Sequence, residues 1–132
     1  ILTKTLTFET EDIAIRNNIL LRQQFVHSTV VFRTNSFKKV GGYDESLVVT
    51  GDYDLILKLG CQKESLTPAT QNTLHNIPEV LSGYRIHTNN ITKKAVVAAD
   101  EHLLVIKRYK NKYPHYILAY LKAKLRILKA IL

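Results

Sequence analysis

The sequence predicts an α/β domain with few strands, more helices and a helical C-terminal tail. Three observations carry this reading. Residues 25–32 are rich in β-branched and aromatic side chains, the pattern of a buried strand, and residues 77–87 read as extended. The segments around them carry helical spacing and helix-ending glycines. The last forty residues are basic and amphipathic. About three strand-like runs against four or five helices make too little sheet for a complete doubly wound domain.

Taken in order, Glu11 to Gln24 predicts a helix, with Ile13, Ile15, Ile19, Leu20 and Leu21 as its apolar positions and Thr10 as N-cap. Phe25, Val26, Thr29, Val30, Val31 and Phe32 predict a buried strand. Thr34 or Asn35 caps a short helix through Val40, and Gly41 suits its left-handed end. Asp52 begins the next helix, with Leu55, Leu57 and Leu59 toward the core and Gly60 at its end. Residues 61–76 are polar and aperiodic, a loop containing Pro68. Ile77 to His87 reads as extended, with Val80, Leu81, Tyr84 and Ile86 pointing inward, and Asn89-Asn90 turns the chain. A long helix over Lys93–Lys112 breaks before Pro114, and a last helix starts near His115.

Composition excludes several classes. The chain has 132 residues, enough for one domain or part of one, and 45% of them are hydrophobic. The single cysteine, Cys61, permits no internal disulfide, so nothing argues for an oxidising compartment. No apolar run reaches the ~18–20 residues of a spanning helix. There is no methionine, and the chain reads as a piece of something longer. The net charge of +8 is uneven: residues 1–92 hold nine basic and nine acidic side chains, residues 93–132 hold ten against Asp100 and Glu101. The boundary near residue 92 therefore separates a neutral body, 1–92, from a basic helical extension, 93–132.

Among residues that could do chemistry, Asp52 and Asp54 stand at i and i+2 at a helix start. As structural residues they cap the helix and meet its dipole; as functional ones, one of them is a general base for a hydroxyl. Two carboxylates do not by themselves make a metal site. His87 ends a strand-like segment, where α/β sheets meet their ligands, and could bind a metal or touch a phosphate. Arg85, two residues earlier, could pair with an anion.

Set in order, these pieces resemble a known family. The strings His27-Ser28-Thr29-Val30-Val31-Phe32-Arg33, Val40-Gly41-Gly42-Tyr43-Asp44-Glu45 and Asp52-Tyr53-Asp54-Leu55-Ile56-Leu57-Lys58-Leu59-Gly60 look like the C-terminal half of family 2 glycosyltransferases. Asn76-Ile77-Pro78-Glu79-Val80-Leu81 and Tyr84-Arg85-Ile86-His87 continue the match, which covers roughly residues 13–92. The resemblance implies a GT-A (Rossmann-like) fold and an inverting transfer from a nucleotide-diphosphate sugar to a hydroxyl acceptor in cell-surface glycan synthesis, on a glycan or a lipid-linked acceptor. It implies Asp52 as the base, and Gly41, Gly42, Tyr43 and Asp54 on the acceptor side, Asp54 chiefly by holding the helix start. It implies His87 near the diphosphate or a divalent cation (Mg²⁺ or Mn²⁺), with Arg85 beside it. Gly51, Ile56 and Lys58 depart from the Glu, Trp and Arg that the family often carries. The family's nucleotide-binding half, which would hold the main metal ligands, is not in the chain, so this chain alone is expected not to transfer sugar.

The tail adds a stripe, Ile117, Leu121, Leu125, Leu128 and Leu132, beside a second of Lys122, Arg126 and Lys129. Two readings stay open: a helix packed on the body with a solvated basic face, or an in-plane helix on an anionic bilayer at residues 116–132. The second puts the protein in the cytoplasm, peripherally on the inner face of the plasma membrane. Lys107-Arg108-Tyr109-Lys110-Asn111-Lys112-Tyr113 interleaves basic and aromatic residues, as nucleic-acid surfaces do. The neutral body and lack of a nucleic-acid motif argue against such a partner. The alternative to an enzyme is a non-catalytic interaction or membrane-surface module derived from one.

Overall fold

The computed structural model describes residues 5–62, 73–83 and 95–131. Its regular elements are α1 (Asp12–Asn18), a 3-10 turn (His27–Thr29), α2 (Thr34–Lys39), α3 (Gly51–Cys61), α4 (Ala95–Arg108) and α5 (Tyr116–Ile131). The expected α/β architecture is not found: there is no strand among the described residues. The run expected as a buried strand at 25–32 instead closes a 3-10 turn, with Thr29 N donating to Val26 O and Val30 N to His27 O. Val31 is 95% exposed, so no layer packs on it. β-branched residues favour strands only where a neighbouring strand and a packing surface receive them. Residues 77–83 fail the same test, because Ile77, Val80 and Leu81 all face solvent rather than inward. Tyr84 and Ile86 lie outside the described residues, as does the Asn89-Asn90 turn.

α1 is shorter than its apolar pattern. Leu21 N and Arg22 N both return to Asn18 O, which ends the helix, and the Asn18 amide back-bonds to Ala14 O at 3.1 Å. Ile15, Ile19 and Leu20 nevertheless reach the core. α2 ends as expected, with Gly41 at φ 78° and Gly42 at φ 68°, a left-handed pair that glycine adopts without strain. The Phe37 ring lies over Gly42 and leaves little room for a Cβ.

α3 is the central element. Leu55, Leu57 and Leu59 are buried as the spacing predicts, but so are Tyr53, Asp54 and Ile56, so the helix is enclosed nearly all round. Gly60 does not end α3, which continues through Cys61. It is instead the place where the Tyr113 hydroxyl lies against α3, so close that a Cβ would collide with it. That hydroxyl donates to Leu57 O at 2.9 Å.

α4 and α5 pack against each other through the turns of residues 109–115, where His115 takes φ 61°. Val105, Ile106, Tyr109 and Tyr113 join Ile15, Ile19, Tyr53 and Leu57 in one cluster, so the basic extension shares its core with the body. Residues 73–77 are held to the first 24 residues by four hydrogen bonds: Leu74 N donates to Asp12 Oδ1 at 2.7 Å, Asn76 N donates to Thr10 O at 3.2 Å, and the Asn76 side-chain amide donates to Glu9 O at 2.7 Å and to Gln24 O at 2.9 Å.

α5 buries an unexpected face. Ala119 and Ala123, each 1% exposed, enter the core with Tyr116 and Tyr120 beside them. The stripe of Ile117, Leu121, Leu125 and Leu128 points outward, with Ile117 73% exposed. Small residues let two helices approach closely, which here outweighs burying the larger side chains. No helix among the described residues is long and apolar enough to cross a membrane.

Candidate functional site

The loop into α3 is fixed by residues far away in sequence. Asp44 folds it, with its Oδ1 accepting from Ser46 N at 3.0 Å and from the Ser46 hydroxyl at 2.6 Å. The Ser46 hydroxyl, then the Arg108 guanidinium, lower the Asp44 carboxyl to about pKa 2. Thr50 is the N-cap of α3 but makes no side-chain cap bond. The cap comes from α4 instead. Glu101 accepts Val48 N at 2.7 Å, Val49 N at 2.8 Å, and both Thr50 N and Oγ1, at 2.9 and 3.2 Å. Burial pushes the Glu101 carboxyl up, but the four bonds together outweigh it and hold the group below its usual range.

Within α3, the two aspartates separate completely. Asp54 is 0% exposed. Arg108 lies 3.3 Å from its Oδ1, the Tyr109 hydroxyl donates to the same oxygen at 3.1 Å, and Lys58 Nζ stands 3.0 Å from Oδ2 as an ion pair. The same two cations reach the glycine-tyrosine loop: Lys58 donates to Gly42 O at 3.3 Å and Arg108 pairs with Asp44 at 2.7 Å. Asp54 is thus the hub that ties the loop, α3 and α4 together.

Asp52 is half-buried and lines a cleft of about 470 Å³ with Gln23, Thr50, Tyr53, His102, Arg126 and Lys129. Its Oδ1 accepts Tyr53 N at 2.6 Å, and Oδ2 has no partner among the described residues. His102 stacks on Tyr53, 4.9 Å between ring centroids, and Arg126 lies 3.4 Å from its Nε2. Burial, then the Arg126 charge, lower the His102 imidazole to about pKa 4, so it is neutral at pH 7.

Tyr43 is exposed; its hydroxyl is 2.8 Å from His27 Nε2, and its ring meets those of His27 and Phe37 edge-on. Gly41 and Gly42 form the turn before it. Arg85 and His87, expected at the diphosphate or metal, lie outside the described residues. Among the described residues no three side chains of His, Cys, Asp or Glu come together as a metal site.

The spacing of motifs did not reveal Glu101, Arg108, His102 or Arg126. All four come from α4 and α5, some fifty residues or more beyond the loop they serve. One signal was present: Asp100 and Glu101 are the two acidic residues in the basic segment 93–132.

No curated protein and no solved structure matches the chain. The model of a family described as "Glycosyltransferase like family 2" matches residues 2–131, taking in the basic extension as well as the loop around Asp52. The chain belongs to this family of glycosyltransferase-like proteins, and the site lies in a domain of the glycosyl-transferring kind.

Proposed function

We propose that this chain forms the acceptor side of an inverting sugar transfer from a nucleotide-diphosphate sugar to a hydroxyl group, with Asp52 as general base. The observation that carries the reading is the division of labour in α3: Asp54 is buried and paired, whereas Asp52 faces an open cleft. The acceptor oxygen attacks the anomeric carbon as its proton passes to Asp52. The bond from that carbon to the diphosphate oxygen breaks, and its electron pair leaves with the nucleotide diphosphate. Glu101 fixes the backbone just before Asp52, so the base is held on a rigid helix start. The test is Asp52→Asn in the protein that carries this chain. Transfer should fall by about 10²–10⁴, the usual contribution of a positioned base. Unchanged transfer removes Asp52 from the mechanism.

The same reading places the acceptor work at a membrane surface. α5 carries Lys122, Lys124, Arg126 and Lys129 and no acidic residue, beside an outward apolar face. That combination fits an in-plane helix on an anionic bilayer, the inner face of the plasma membrane, where each basic residue contributes about 1 kcal/mol. Cell-surface glycan synthesis is the setting such an attachment suits.

A further inference from the structure

A second cleft, of about 590 Å³, lies between α5 and the segment after α1, lined by Glu9, Asn18, Arg22, Gln24, Lys122, Arg126 and Lys129 among others. Four of those side chains are cationic and one is acidic. None of the four forms an ion pair among the described residues. Two are already positioned: Arg22 donates to Thr7 O at 2.7 Å and lies over the Phe8 ring, and Arg126 rests against His102. Like charges gathered in a concavity repel one another and focus a positive potential there, an arrangement that favours an anion. The volume is that of a small-molecule site.

Arg126 and Lys129 line this cleft and the Asp52 cleft alike, so the two clefts adjoin along α5 in a groove that these side chains divide. From this geometry we infer that Arg22, Lys122, Arg126 and Lys129 form an anion site for the phosphate or diphosphate group of a substrate, whose uncharged end extends toward Asp52. The orientation follows from charge. The Asp52 carboxylate repels an anion, and Arg22 and Lys122 draw it to the opposite end of the groove. The role of the bound molecule as a substrate rests on the proposed transfer; the binding of an anion does not.

Inorganic pyrophosphate is the probe, titrated into the 132-residue chain at low salt by calorimetry. Binding should weaken by about tenfold or more in the Lys122→Gln/Lys129→Gln double variant, about 1.4 kcal/mol. A charge-matched control, Lys38→Gln/Lys107→Gln, should bind as the unaltered chain does. Absence of pyrophosphate binding, or equal weakening in both double variants, overturns the site. Vesicles containing phosphatidic acid distinguish the sources of phosphate. If pyrophosphate displaces the chain from them, a lipid phosphate enters the groove. If pyrophosphate binds and the vesicles do not, the ligand is a soluble phosphate ester. If vesicles bind and pyrophosphate does not, attachment runs through the α5 surface alone and the site is overturned. Asp52→Asn should leave pyrophosphate affinity unchanged or raise it, so failure of the base and failure of the anion site are read separately.

Discussion

The carboxylate of Glu101 reaches from α4 to take both the backbone N–H and the hydroxyl of Thr50, two residues before the candidate base. Helix starts leave N–H groups unpaired, and here the cap is supplied from another helix instead of from the N-cap residue itself. Glu101→Gln keeps one acceptor oxygen and loses the charge, so it should cost about 1–2 kcal/mol, within the range of charge-assisted bonds. Because the carboxyl titrates lower in the folded chain than in the unfolded one, its contribution is full above pH 4.5 and is lost as pH falls through the folded value. Denaturant melts of both chains should therefore converge in acid. A constant difference down to pH 2 would refute the clamp.

The two aspartates of α3 should fail in opposite ways. Asp52→Asn replaces a half-buried carboxylate that faces the cleft and should change stability by less than about 0.5 kcal/mol while lowering transfer by about 10²–10⁴. Asp54→Asn leaves Arg108 and Lys58 facing a neutral group and should cost about 2–3 kcal/mol. Both cations are partly exposed, 35% and 25%, and recover some hydration, which keeps the cost below that of a fully enclosed pair. Equal stabilities for the two variants would contradict the separation.

Gly60 and Tyr113 should be coupled. Gly60→Ala forces the Tyr113 hydroxyl away from Leu57 O and should cost about 1–3 kcal/mol by overpacking. In a Tyr113→Phe background the clashing oxygen is gone, so the same change should cost less than half as much. Additive effects in that double-mutant cycle would show that the hydroxyl is not the obstacle.

How far the sequence reached follows from what each signal encodes. Gly41 and the leucines of α3 were legible because a left-handed turn and a buried helix are local demands. The Asp52–Asp54 spacing marked a helix start but could not say which carboxylate turns inward; that depends on Arg108 and Tyr109, fifty-four and fifty-five residues beyond Asp54. The strand reading failed because β-branched residues report a preference that only neighbouring strands can satisfy. On α5 the period identified the shared face correctly but not its direction. Ala119 and Ala123, too small to look like a core, decided it.

His102 predicts an acid-sensitive core. Its imidazole titrates near pH 4 folded and 6.5 when free, so between those values the unfolded chain binds more protons. Stability should fall as pH drops from 6.5 to 4. Replacing it with a group that does not titrate, His102→Gln, should flatten that part of the curve, read as thermal midpoint against pH. The Glu101 clamp is lost only below pH 4.5, so the two contributions separate on the same axis.

The outward stripe of α5 gives the last test. Leu121, Leu125 and Leu128 lie in solvent, so replacing them with glutamine removes little from the core and should leave the melting midpoint nearly unchanged. On a bilayer the same three side chains would be buried, each contributing about 1.5–3 kcal/mol at full burial and less at an interface. The triple variant should therefore lose vesicle binding by about tenfold or more even though its charge is untouched. Raising salt should weaken binding of the unaltered chain, because screening acts on the lysines and Arg126 but not on the leucines. Flotation that is indifferent to the leucines would mean that charge alone brings the chain to the surface, and the apolar face would then need another occupant.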